Sequence, residues 1–143
     1  MRIESAFLFD LDGTLVDSNE QHVTAWLRAF EASGRQFERQ AVREQMGKGA
    51  DMLVPSLIPG ATEDEIKAMG EAHGTIFKEE FLDGIKAFPG AGALLRRVHD
   101  AGLKVVLASS ASESEVEHYI EVLDAQSILA ATTSADDVEN SKP

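Results

Sequence analysis

The 143-residue chain contains no cysteine, which excludes disulfides and thiolate chemistry. Basic residues are scarce: 13 lysines and arginines stand against 25 acids, a net charge of −12. There is no basic stripe and no interleaving of basic with aromatic residues, so nothing points to a nucleic-acid partner. An anionic surface also repels phosphate ligands at long range, so any phosphate site has to be built locally. The four histidines are scattered without zinc spacing. No apolar run approaches membrane-spanning length, and Met1 to Asp10 reaches an acid too soon for a signal peptide. A cytoplasmic protein without a membrane partner is expected.

What the chain does contain is an ordinary globular composition, with 43% hydrophobic residues and enough length for one real core. The pattern of that 43% is informative. Ala6-Phe7-Leu8-Phe9 is continuously apolar and ends in Asp-Leu-Asp-Gly-Thr; the expectation is a strand buried on both faces of a parallel sheet. Helical signals then run for about seventy residues. Ser18 to Gln21 has capping-box spacing, with Val23, Trp26, Leu27 and Phe30 at helical intervals up to Gly34. A second helix is expected from Glu38 to Met46, and a short third from Asp51 to Leu57, weakened by Pro55. Thr62 to Glu65 is another capping box opening a long helix in which Gly70 and Gly74 permit a break.

After Pro89-Gly90 the grammar changes to helix (Ala93 to Val98), strand (Lys104 to Ala108), helix (capped at Ser112 to Glu115) and strand (Ile128 to Thr133). Strands alternating with helices predict α/β architecture, a parallel sheet with crossover helices.

Asp10-Leu11-Asp12-Gly13-Thr14 is the sharpest feature. Ligands of open α/β sheets bind beyond the carboxyl ends of strands, where this segment falls. A carboxylate there can attack phosphorus, and a second one two residues on can serve as general acid and then base. Gly13 permits the tight turn that brings backbone N–H groups to phosphate oxygens. Average residue usage makes a chance Asp-x-Asp-Gly-Thr roughly a one-in-a-thousand event in such a chain, which favours chemistry over a solvated turn. Ser109 or Ser110, directly after the second strand, can bind a phosphate oxygen, although serines there also serve as plain helix caps. Lys142, after the third strand, can neutralise a transferring phosphoryl group.

These signals, in this order, resemble the haloacid dehalogenase-like (HAD) superfamily, and within it the capped β-phosphoglucomutase and phosphoglycolate phosphatase-like branch. Phe9 to Ser18 is similar to the family's first motif, Ala108-Ser109-Ser110 to its second and Ser141-Lys142-Pro143 to its third. The resemblance implies a Rossmann-like, three-layer parallel sheet with an inserted helical cap. The core would be 1–14 and 86–143 and the cap 15–85. It implies Asp10 as nucleophile and Mg²⁺ ligand, and Asp12 as acid/base with its backbone carbonyl on the metal. Ser109 and Lys142 would hold the phosphoryl group of a small phosphorylated metabolite, a sugar phosphate or a phosphoglycolate-like ester. The second aspartate disfavours dehalogenation, a branch that lacks it.

The family's fourth motif, an acidic pair on a later strand, has no counterpart in the chain, so a fragment of a longer protein is expected. Asp136 and Asp137 are poor replacements, given the near-octahedral geometry Mg²⁺ demands. Without a further strand, Ala6 to Phe9 becomes an exposed apolar edge. In the cap, Lys48 within Met46-Gly47-Lys48-Gly49-Ala50 and His22, one turn before Trp26, are the candidate substrate contacts. An exposed lysine and a packed helix face explain them as simply. Phosphatase and phosphomutase share every motif present. A phospho-accepting signalling domain fits less well, because of the long helical insertion. A non-catalytic interaction module is the alternative for a chain lacking the fourth motif.

Overall fold

Three of the apolar runs form a parallel sheet in the computed structural model, which describes residues 4–137. Numbered along the chain they are β1 (Ala6–Phe9), β4 (Lys104–Ala108) and β5 (Leu129–Thr133), in the spatial order β1-β4-β5. Phe7 pairs with Val105 and Phe9 with Leu107, while Ala108 pairs with Thr133. Helix α5 (Ala91–Asp100) leads into β4, and α6 (Glu113–Leu123) crosses from β4 to β5. Val105 and Leu107 of β4 are fully buried, with Leu95 of α5 and Val116, Tyr119 and Leu123 of α6 among the buried residues of this unit.

β1 departs from the expectation of burial on both faces. Phe7 is 50% and Leu8 69% exposed. The reason is topological: β1 pairs only with β4, and among the described residues no strand lies on its other side. The exposed apolar edge anticipated for a sheet ending at β1 is what the chain shows.

Beyond β1 the chain folds back on itself around one carbonyl. Leu11 O accepts N–H groups of Thr14, Leu15 and Val16 at 3.0, 2.9 and 3.2 Å. Gly13, at φ 72°, supplies the left-handed residue this turn needs. The chain then leaves the unit through β2 (Val16–Asp17) and returns through β3 (Lys86–Ala87), paired antiparallel.

A second compact unit, Ser18–Gly84, is all helix. It comprises α1 (Asn19–Ala32), α2 (Arg39–Arg43), α3 (Ala50–Leu57) and α4 (Glu63–Glu80). Its core is Val23, Trp26 and Phe30 of α1 with Val42, Leu53, Val54 and Met69. The two expected capping boxes part company. Thr62, with extended backbone (ψ 160°), accepts the Glu65 N–H at 3.2 Å while its own N–H reaches Glu65 Oε2 at 2.9 Å. Ser18 has ψ −6°, outside the extended region a capping side chain needs, and makes no cap bond. The helix is not broken at Gly70 or Gly74. A Cβ on Gly70 would lie 3.0 Å from Ala50 Cβ, so the glycine there serves close packing with α3. The expected Glu38–Met46 helix is shorter, ending at Arg43. None of the described helices is long and apolar enough to cross a membrane.

Candidate functional site

The register of the sheet decides which candidates meet. Phe9 lies level with Leu107, so Asp10 leaves β1 beside the end of β4, one residue short of Ser109. Asp10 is half-buried, and its Oδ1 accepts the Leu11 N–H at 2.9 Å. Asp12 is half-buried too, and its Oδ1 accepts the hydroxyl of Tyr119 on α6 at 2.9 Å. Gly13 is exposed at the turn.

Ser109 and Ser110 differ in their setting. Ser109 is 6% exposed. Its N–H donates to Thr133 O at 3.2 Å and its Oγ accepts the Ala111 N–H at 3.0 Å. Ser110 is only half-buried. The loop from Ser109 into α6 is clasped to the exit of β5. Ala135 N–H donates to Ala111 O at 2.8 Å, and Glu113 N–H to Asp136 Oδ2 at 2.8 Å. Asp137 Oδ2 accepts the N–H and the hydroxyl of Ser134 at 2.8 and 3.1 Å. Both acids weighed as spare metal ligands are therefore engaged in fixing loops. Lys142 lies outside the described residues.

The other two candidates sit in the helical unit. His22 is 8% exposed and stacks on Phe77 with ring centroids 3.7 Å apart. Its Nδ1 lies 3.1 Å from Nε2 of His73, whose ring in turn stacks on Trp26 at 4.2 Å. Lys48 Nζ donates to Gln45 Oε1 at 2.6 Å and to Ser56 Oγ at 3.3 Å.

Sequence reasoning missed two of these residues. His73 pairs with His22 across fifty-one positions; its signal is the spacing to Phe77, which repeats that of His22 to Trp26. Tyr119 is buried on α6, where a phenol needs a hydrogen-bond acceptor.

Mg²⁺ binds through one or two carboxylates and otherwise keeps water or substrate phosphate oxygens, all hard donors. The Asp10 carboxylate beside the Asp12 backbone suits that pattern. Among the described residues no group of three or more acids and histidines could form an all-protein cage.

The class of protein defined so far is an α/β fold with polar side chains at the carboxyl ends of adjacent parallel strands and a helical unit inserted after the first strand. Residues 7–143 match the family model described as haloacid dehalogenase-like hydrolase, and the chain belongs to that family. It is 28% identical over 143 residues to the phosphorylated carbohydrates phosphatase of Thermotoga maritima, covering 96% of this chain and 64% of that protein. It is 33% identical over 139 residues to hexitol phosphatase A of Escherichia coli, covering 96% and 62%. A solved hydrolase from Pseudomonas syringae superposes with a TM-score of 0.86 at 29% identity, over 99% of this chain and 65% of that one. The chain thus spans about 62–64% of the length of these curated relatives.

Proposed function

We propose that the chain carries the nucleophile and acid/base of a Mg²⁺-dependent phosphomonoesterase acting on a small sugar phosphate or phosphoglycolate-like ester. The observation that carries this is the placing of Asp10 and Asp12 immediately beyond β1, with Ser109 beyond the neighbouring β4. The names of the relatives, phosphatases of phosphorylated carbohydrates and of hexitol, support the substrate class.

An Asp10 carboxylate oxygen attacks phosphorus as the ester P–O bond breaks, and Asp12 gives its proton to the leaving oxygen. Water then attacks the aspartyl phosphate and passes a proton to Asp12. The bond from Asp10 to phosphorus breaks, releasing phosphate and restoring both carboxyls. In a mutase the hydroxyl of a second sugar takes the place of water. Ser109, whose Oγ accepts the Ala111 N–H, has its own hydrogen to donate to a phosphoryl oxygen, and Ser110 and Gly13 are the further proposed phosphate contacts. Lys142 is the proposed cation. The Asp10 carboxylate and the Asp12 backbone carbonyl would hold Mg²⁺, which would supply charge neutralisation for the phosphate. Residues 15–85 act as the cap, with His22 and Lys48 reading the leaving group.

The test is Mg²⁺-dependent phosphate release from a panel of small phosphomonoesters. Release that falls at least on the order of a thousandfold in Asp10→Asn is expected of a lost nucleophile. No release from the unaltered chain points instead to an inactive fragment or a non-catalytic interaction module, the second reading, and the same assay on a C-terminally extended protein decides between the two.

A further inference from the structure

Tyr119 is the single tyrosine of the chain and is fully buried. Its hydroxyl lies 2.9 Å from Asp12 Oδ1, joining residues 107 positions apart. We infer that Tyr119 is a positioning residue for proton transfer, fixing the plane of the Asp12 carboxyl for its exchange of a proton with the leaving group and with water. This rests on the acid/base reading of Asp12 given above.

The need follows from the torsion of the side chain. The aspartate χ2 is broad and roughly two-fold, so packing alone leaves the carboxyl plane poorly defined. A general acid, however, has to stand within about 3 Å of the atom it protonates, and tolerances in such sites are about 0.5 Å and 10–20°. A phenol donating to Oδ1 sets that plane.

The donor is itself held by a rigid element. α6 begins with a capping box in which the Ser112 N–H donates to Glu115 Oε2 at 2.8 Å. Its next N–H, that of Glu113, is taken by Asp136. The loop carrying Ser109 runs directly into this helix. One helix therefore bears the Asp12 donor and continues from the candidate phosphate-binding serine.

A simpler role for Tyr119 would be that of a buried ring finding any acceptor, and the leaving group separates the two. A sugar phosphate expels a poor alkoxide that needs a proton, whereas p-nitrophenyl phosphate expels a phenolate that does not. In Tyr119→Phe, the single-turnover rate of phosphoryl transfer from the sugar phosphate to Asp10 should fall on the order of tenfold, a fraction of the 10²–10⁴ of general acid catalysis. KM should stay within about twofold, and so should the single-turnover transfer rate for p-nitrophenyl phosphate, a step that needs no proton. In an Asp12→Ala background, Tyr119→Phe should add nothing.

Equal losses of that single-turnover transfer rate on the two esters, or a further loss in that background, overturn the inference while leaving the phosphatase reading intact. No release of either ester by the unaltered chain overturns both. A measurement independent of the Tyr119 variant uses the single tyrosine: ¹³Cζ labelling gives one resonance, expected to move in Asp12→Ala. An unmoved resonance shows the bond is not made in solution and overturns the inference as well.

Discussion

Ser109, buried after β4, accepts the Ala111 N–H with its Oγ, and the proposed function gives the same side chain a second task, binding the phosphoryl group. Ser109→Ala should therefore lose stability as well as substrate, by about 1–3 kcal/mol for the orphaned N–H. Ser110→Ala, at a half-buried position, should change the melting temperature little. Thermal melts of the two variants, read beside KM for one phosphoester, check this. At this scale the sequence was readable where chemistry is local. Asp10, Asp12 and Gly13 sit within four residues, and their turn follows from their order. The partner of Asp12 was not readable, because no spacing rule links Tyr119 to it; only the closed fold does. The choice between Ser109 and Ser110 likewise depended on burial, which two adjacent identical residues do not reveal.

Helices show the same division. The box at Thr62 could be read because its residues are three apart and its backbone is extended. The same spacing at Ser18 gave a false signal, since the chain arrives there from β2 with a non-extended ψ of −6°. Two glycines that look alike in sequence should respond oppositely to alanine. Gly74, in α4, has nothing within 4 Å of a new Cβ, so Gly74→Ala should stabilise by up to about 1 kcal/mol through helix propensity. Gly92, in α5, would place its Cβ 2.8 Å from the backbone oxygen of Leu123. Gly92→Ala should destabilise by about 1–3 kcal/mol as the two helices separate. Chemical denaturation of both variants decides the signs.

The acid limb of stability belongs to elements too. The Thr62 N–H, and then Arg35, hold the exposed Glu65 carboxyl below the ordinary carboxylate range. A lowered folded value means the contribution is present above the unfolded value and is lost as pH falls through the folded one. Glu65→Gln should remove that loss, so wild type and variant should converge in melting temperature at the acid end of a pH series.

At the scale of the whole chain, the sheet leaves Phe7 and Leu8 exposed on a strand that, among the described residues, is paired on one side only. An apolar edge of this kind templates association. The chain should self-associate with rising concentration in sedimentation runs, and Leu8→Lys should suppress this, while an unchanged profile would point to another surface. The α/β class and the order of elements were legible because each strand and helix carries its own period. The exposure of β1 was legible only through the sheet order, since Ala6 to Phe9 reads the same in a central strand as in an edge strand.

Ala6 lies ninety-eight positions before its partner Lys104, and the described helical unit falls between them in the chain. During synthesis β1 therefore emerges first and pairs late. At about 5–20 residues per second, it waits roughly 5 to 20 seconds for β4. Ser18–Gly84 is complete about twenty residues before Lys104 is made and can fold while its flanking strand is still bare. For that period Phe7 and Leu8 are an unpaired apolar segment of the kind that favours aggregation, so the order of translation sets how long the chain carries it.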